Sequence, residues 1–460
     1  MRATPTLLLD QAWCALGGDP ADTAHVSFTG PAHTLSSALP VTALAQATIG
    51  AVALAARELG AARDESNPPG VTVDSRAAAM AISSDRHLRL AGEPLVAMHP
   101  ISRFHRSADG WVRLHGNYPH HRAAAFAALG VDSVDGAIDA LTKLTGSRIE
   151  ELLAAHGALG FAVREPAEWA AHPQGSAVAA LPLLDLARTG AGPEDPRRPT
   201  PTGPPAAGVR ILDLTRVLAG PTGTRTLAHL GADVLRVDSP HLPENPGEYW
   251  DNAFGKRSTL LDLRDRADRA RFDELLADAD VLITGYRTDA MAGLGLDHDT
   301  LAADHPGLIT AAFNAWGPVG PWTNRRGFDS LVQAACGIAR IEAGDDPAPG
   351  ALPTQALDRA TGYLLAAAIL RALTLRRRDG LGSRIDLALA RTGAWLSAAY
   401  APGEPETAEP FDPAPHLSRT DTTVGRLTHA LPPFELPGLP AAWAHAPTPW
   451  GFDAAAWRNS

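Results

Sequence analysis

Lysine is nearly absent. It occurs twice in 460 residues, at Lys143 and Lys256, so arginine carries almost all the positive charge. That bias reads as the mark of a GC-rich genome. Acidic groups outnumber basic ones to a formal net charge of −11, which leaves no basic face for nucleic acid. Two cysteines, Cys14 and Cys336, are too few for a disulfide framework and fit a reducing compartment, so a cytoplasmic location is expected. Cys336 reads as a small buried hydrophobe. No apolar run approaches the ~18 residues a membrane span needs. The leucine run Leu7–Leu9 is too short for a signal-peptide core. The 17 histidines show no H-E-x-x-H or Cys/His spacing, so no metal site is expected, and His120-His121 reads as a surface pair.

What is present is an ordinary globular composition, 45% hydrophobic and 20% charged, with room for two or three domains. The stretch 209–240 runs apolar strand, Ala219-Gly220-Pro221 turn, helix to His229 and a second strand at Ala232–Val237. That is the size of one right-handed crossover in a parallel sheet. Its turn lacks G-x-G-x-x-G, which argues against a nicotinamide or flavin cofactor. Strand-like and helical segments then alternate: Thr259–Leu263, Asp265–Ala279, Val281–Thr284, Asp297–Ala303, Leu308–Phe313 and a long helix over Gly362–Arg377. The pattern indicates an α/β sheet covered by helices on both faces.

Upstream, a helix over Leu44–Ala62, strands at Val71–Asp74, Gly110–His115 and Gly160–Val163, and a helix at Ile149–His156 read as α+β. The Pro/Gly-rich stretch 187–208 reads as an extended linker. Ala401–Pro415 reads as a second loose region. ALPVTALAQAT (38–48) aligns without a gap to ALPTQALDRAT (351–361), and both lead into an Ala/Leu-rich helix and a short strand ending in Asp. A degenerate internal duplication follows. In it, Asp358 of the second copy faces Ala45 of the first.

With these segments assembled, the chain resembles the family III CoA-transferases, which include formyl-CoA and carnitine-CoA transferases and, as a relative, α-methylacyl-CoA racemase. The resemblance is carried in order by LDLTRVLAGP, Gly255-Lys256-Arg257-Ser258 with Leu260–Arg264, ADVLITGYRTDAMAGLGLD, GPVGPWTNRRGFDSLVQAACG and ALDRATGYLLAAAI. It implies a Rossmann-like parallel-sheet CoA-binding domain with a smaller α+β domain. It also implies an unusual order. Residues 1–186 resemble the small domain and returning elements, 187–208 the linker, 209–400 the CoA-binding half, and 401–460 a Pro-rich extension. The chain is then either rearranged or a fusion of two truncated copies.

The resemblance further implies that Asp358 is the nucleophile, passing CoA from an acyl-CoA donor to a carboxylic acid through an aspartyl-CoA thioester. It implies CoA contacts at Leu218, Ala219, Gly220, Leu261, Arg264, Gly285, Tyr286 and Arg326. Arg264 would pair with phosphate, and Gly220 would let backbone approach the pantetheine arm. Coenzyme A is then a substrate, with no resident cofactor, and a homodimer with interlocked chains is the family's assembly. Several positions depart from the family pattern: Gly285 stands for Asn, Leu218 for Gln or Tyr, Ser239 and Gly293 for Arg. The family's glycine-rich loop has no counterpart beyond His115-Gly116-Asn117-Tyr118. These departures support an alternative, a non-catalytic or weakly active CoA-binding paralogue or partner subunit. A racemase needs an imidazole where Phe328 stands and a carboxylate near Tyr118, and the sequence offers neither there.

Overall fold

The computed structural model describes residues 3–64, 68–95, 98–192, 203–403 and 407–458. Its strands in chain order are β1 (Val26–Thr29), β2 (Val71–Asp74), β3 (Arg89–Leu90), β4 (Glu93–Pro94), β5 (Phe104–Arg106), β6 (Trp111–Leu114), β7 (Gly160–Ala162) and β8 (Asp185–Ala191). They continue as β9 (Arg210–Leu214), β10 (Asp233–Asp238), β11 (Arg257–Leu260), β12 (Val281–Thr284), β13 (Ile309–Asn314), β14 (Leu381–Ala388), β15 (Leu417–Thr422) and β16 (Gly425–Ala430).

The largest sheet has seven strands in the order β11-β10-β9-β12-β13-β14-β8. The neighbours from β11 to β14 all pair in parallel. Val281–Thr284 is buried throughout, as a strand covered on both faces must be. Alternate residues feed two cores. Leu212, Leu235 and Leu282 pack with Phe272 and Leu275 of the helix Arg266–Ala277. Ile211, Val234 and Ile283 join the main core with Leu365 and Ile369 of the helix Ala356–Asp379.

That main core also holds Leu8, Trp13, Val52 and Leu54, so residues from before and after the Pro/Gly-rich stretch share one interior. The helices Val41–Asp64 and Ala356–Asp379 are each 24 residues long and pack together. The first joins the parallel pair β1–β2, the second the parallel pair β13–β14. Upstream, Gln46 Nε2 donates to Thr29 O and Val73 O, closing that unit with a side-chain amide.

The smaller unit is the antiparallel sheet β5-β6-β7 with helices Pro119–Leu129, Val134–Leu141 and Gly146–Ala155. It docks on the segment after β13. Arg325 pairs with Glu150 at 3.1 Å, and Phe161, Trp169, Trp316 and Trp322 form an aromatic cluster between them.

Two expectations need correcting. The linker reading of 187–208 fails at its start, because residues 187–191 belong to β8, antiparallel to β14 at the sheet edge. An edge strand is half exposed, so its apolar content is low. Its register is held by Arg188, which pairs with Asp379 and donates to Leu381 O at 2.8 Å. Residues 193–202 of that call lie outside the described residues. The C-terminal segment is not merely an extension. β15 and β16 form a hairpin beside β3, and the indole N–H groups of Trp443, Trp450 and Trp457 donate to Ala430 O, Asp238 Oδ2 and Leu275 O.

Candidate active site

A cavity of about 860 Å³ runs along the carboxyl ends of the parallel strands. Leu214, Val237, Leu261, Gly285, Asn314 and Leu389 stand at or just beyond the ends of β9, β10, β11, β12, β13 and β14, and all line it. The strand order reverses between β9 and β12, the position at which open α/β sheets bind ligands. The opposite wall comes from the smaller unit through Tyr118, His120 and His121. One chain thus supplies both walls.

Of the residues singled out from the sequence, Asp358, Ala219, Leu261, Arg264, Gly285, Tyr286 and Arg326 all line this cavity. Leu218 and Gly220 are not among its lining residues. Leu218 is buried. A Cβ on Gly220 would meet Thr215 at 2.3 Å, so glycine is needed there for the packing of the turn itself. The cavity-facing residues of this turn are Val217 and Ala219. Val217 has φ 69°, a costly conformation for a β-branched side chain. Its N–H is held by Glu244 Oε2 at 3.2 Å.

Asp358 sits in the first turn of the helix Ala356–Asp379. The placement depends on glycine: a Cβ on Gly362 would meet Ala219 O at 2.3 Å, and one on Gly223 would meet Gly362 O at 2.7 Å. The helices 219–229 and 356–379 therefore cross at backbone contact, bringing Asp358 to the Ala219 turn. Arg359, fully buried, fixes the rotation. Its guanidinium reaches Asp251 at 2.8 Å, Asp85 at 3.2 Å, Thr222 Oγ1 at 2.9 Å and Asn252 Oδ1 at 3.1 Å.

A second buried carboxyl stands beside the first. The backbone N–H of Asp358 donates to Asp329 Oδ2 at 2.9 Å, and Gln333 Nε2 donates to Asp329 Oδ1. Burial, and then the charge of Asp329, push the Asp358 pKa well above the carboxylate range. Asp329 is itself raised to about 6, chiefly by burial.

Sequence reasoning missed a further acidic group. Tyr118 Oη reaches Glu244 and, at 3.3 Å, Glu248. Burial alone would raise Glu244, but the guanidiniums of Arg236 and Arg216 outweigh it and hold the pKa near 2. Burial and then the charge of Glu244 push Glu248 up to about 8. The carboxylate lacking near Tyr118 in sequence is thus supplied from 126 residues downstream. Its one sequence signal is the run Pro-Glu-Asn-Pro-Gly-Glu at 243–248, acidic groups in a proline-rich turn. Phe328 stacks on His115 with ring centroids 3.9 Å apart. His115 is buried behind it. The surface-pair reading of His120-His121 is half corrected, since His120 is exposed and His121 is 7% exposed. Lys256 is structural, donating to Asp213 Oδ2 at 3.2 Å and Thr224 Oγ1 at 2.9 Å beneath the sheet. Cys336 is buried, as expected.

Residues 207–426 match the model of CoA-transferase family III. The match takes in a little under half of the chain and leaves an upstream segment of 206 residues outside it. The chain is 33% identical to a probable fatty acyl-CoA transferase of Mycobacterium tuberculosis, over 38% of this chain and 48% of that protein. It is 34% identical to the acetyl-CoA:oxalate CoA-transferase of Acetobacter aceti, over 36% of this chain and 46% of that one. A CAIB/BAIF family protein from Brucella suis, known from its crystal structure, is 28% identical, with a TM-score of 0.41 over 49% of this chain and 65% of that one. The chain thus spans about half the length, or less, of curated relatives such as these. Among the described residues no helix is long and apolar enough to cross a membrane, and no group of His, Cys, Asp and Glu could hold a metal ion.

Proposed function

We propose that the protein transfers CoA from an acyl-CoA to a carboxylic acid, with Asp358 as nucleophile. The observation that carries the reading is a buried carboxyl, Asp358, lining a cavity that arginines also wall. An anhydride intermediate needs such shielding.

The Asp358 carboxylate attacks the donor thioester carbonyl, forming a mixed anhydride and releasing CoA thiolate. The thiolate attacks the aspartyl carbonyl, giving aspartyl-CoA thioester and freeing the donor acid. The acceptor carboxylate attacks that thioester, forming a second anhydride and releasing the thiolate again. Attack of the thiolate on the acyl carbonyl gives the new acyl-CoA and regenerates Asp358. No external oxidant or proton is consumed. Arg264 and Arg326 suit the CoA phosphates, and Val217, Ala219 and Tyr286 the pantetheine and adenine.

An assay of acyl-CoA formation from labelled carboxylic acids and a panel of acyl-CoA donors tests the reading. Transfer that is lost in Asp358→Asn supports it. CoA binding without transfer favours the paralogue, which the substitutions at 218, 239, 285 and 293 would suit. Solvent deuterium entering the α-carbon of a bound acyl-CoA would point to the racemase.

A further inference from the structure

We propose that Glu244 is a positioning residue for transfer: its carboxylate holds the turn at Val217 in a strained conformation and ties that turn to Tyr118 on the opposite wall of the cavity. The inference rests on the CoA-transferase reading and adds a residue to its machinery.

Glu244 does not line the cavity, but its partners Tyr118, Arg216 and Val217 do. Its side chain is 1% exposed. Oε2 accepts from Arg236 Nη2 at 2.7 Å and from the Val217 N–H at 3.2 Å. Oε1 accepts from the Asn245 N–H at 3.0 Å, from Arg216 Nη2 at 3.3 Å and from the Tyr118 hydroxyl. Every partner is a donor, which suits a carboxylate. Burial opposes that charge, and the guanidiniums of Arg236 and Arg216 outweigh it. Tyr118 belongs to the smaller unit, and Arg216 also lies 5.3 Å from its ring centroid, so Glu244 joins the two walls.

Val217 is where this hub bears on the cavity. Its φ of 69° is positive, and among the described non-glycine residues only Ala91, on an exposed turn, shares that feature. Glycine takes such an angle freely, whereas a β-branched residue stays in it only where its surroundings over-determine it. The ends of the turn are pinned separately, Thr215 N–H to Asp213 Oδ1 at 3.0 Å and Thr222 N–H to Leu218 O at 2.8 Å. Between them the Val217 N–H rests on Glu244. The turn leads into Ala219, whose carbonyl abuts Gly362, one helical turn beyond Asp358. A relaxed Val217 would therefore shift the wall next to the nucleophile, and misplacement by about 1 Å can cost on the order of 10²-fold in rate.

Steady-state transfer and calorimetric CoA titration of the wild type, Glu244→Gln, Val217→Gly and the double variant test the assignment. Glu244→Gln should lower kcat roughly tenfold or more and leave CoA affinity within about threefold. In the Val217→Gly background the same change should cost kcat less than about threefold, because glycine keeps the turn without the carboxylate. Equal losses of kcat in the two backgrounds overturn the proposal and leave Glu244 a part of the fold alone. So does a CoA affinity that falls as far as kcat. Should Glu244→Gln fail to fold, Tyr118→Phe takes only the hydroxyl from the hub. It must then lower kcat by about threefold or more at unchanged CoA affinity, and an unmoved kcat overturns the proposal. A wild type that transfers CoA from no donor refutes the CoA-transferase reading and this inference with it. Transfer with kcat unmoved in Glu244→Gln refutes this inference alone.

Discussion

Asp329 accepts the backbone N–H of Asp358 through Oδ2 at 2.9 Å, so one buried carboxyl positions the residue that bears the other. The same contact places two acidic groups in one dry site, and each makes ionisation of its neighbour harder.

The first prediction concerns pH. A nucleophilic Asp358 must be ionised, and burial together with Asp329 raises its pKa. The account therefore expects kcat/KM to climb with pH beyond the ordinary carboxylate range instead of levelling off near pH 5. Removing the neighbouring charge in Asp329→Asn should move the acid limb to lower pH by about one unit. A pH–rate profile of both proteins decides it, and an unmoved limb would detach Asp329 from the chemistry.

Stability should follow the opposite sign. A carboxyl whose folded pKa is raised stabilises the fold fully below its unfolded pKa, and that contribution is lost as pH rises through the folded value. Asp329, raised to about 6, gives a window from about pH 4 to 6 for this loss, and Asp358 extends it upward. Asp358→Asn should then melt higher than the wild type at pH 8, at about 2–4 °C for each 1 kcal/mol gained, while losing transfer. Equal melting temperatures at pH 8 would mean that Asp358 is not held against its charge.

Arg359 offers a structural test. Its guanidinium, 0% exposed, balances Asp251 at the base of the nucleophile's helix. Arg359→Met removes one of the two guanidiniums on the buried Asp251, leaving Arg225 at 3.3 Å, and should cost about 1–3 kcal/mol in urea unfolding. A loss below 1 kcal/mol for the single change would contradict the buried-pair reading.

Gly362 should resist the smallest change. Adding one methyl drives it into Ala219 O at 2.3 Å, which is backbone and cannot swing away. Gly362→Ala is expected to cost about 1–3 kcal/mol and, by shifting the Ala219 turn, to weaken CoA binding. Calorimetry of folding and of CoA binding on one preparation measures both effects.

Much of this architecture is legible in the sequence, for identifiable reasons. The strands β9, β10, β12 and β13 are rich in apolar residues between turn signals, as strands buried on both faces are. Asp358 stands out because its counterpart in the aligned upstream segment is Ala45. The edge strand β8 is hidden in a Pro/Gly-rich stretch, since its pairing uses backbone and one arginine instead of apolar side chains. Glu244, in a loop, and Glu248, in the first turn of the short helix Pro246–Asn252, escape because they meet Tyr118 only through the tertiary fold. Gly220 misleads for a local reason: a glycine in a turn signals close approach, and here the approaching group is Thr215.

The most direct measurement is the covalent one. The protein is incubated with an acyl-CoA donor, treated with hydroxylamine and digested, and the peptide spanning residue 358 is weighed. A hydroxamate on Asp358, formed only with the donor present and absent from Asp358→Asn, is the predicted result. An unmodified Asp358 under conditions in which acyl-CoA is turned over would contradict the account.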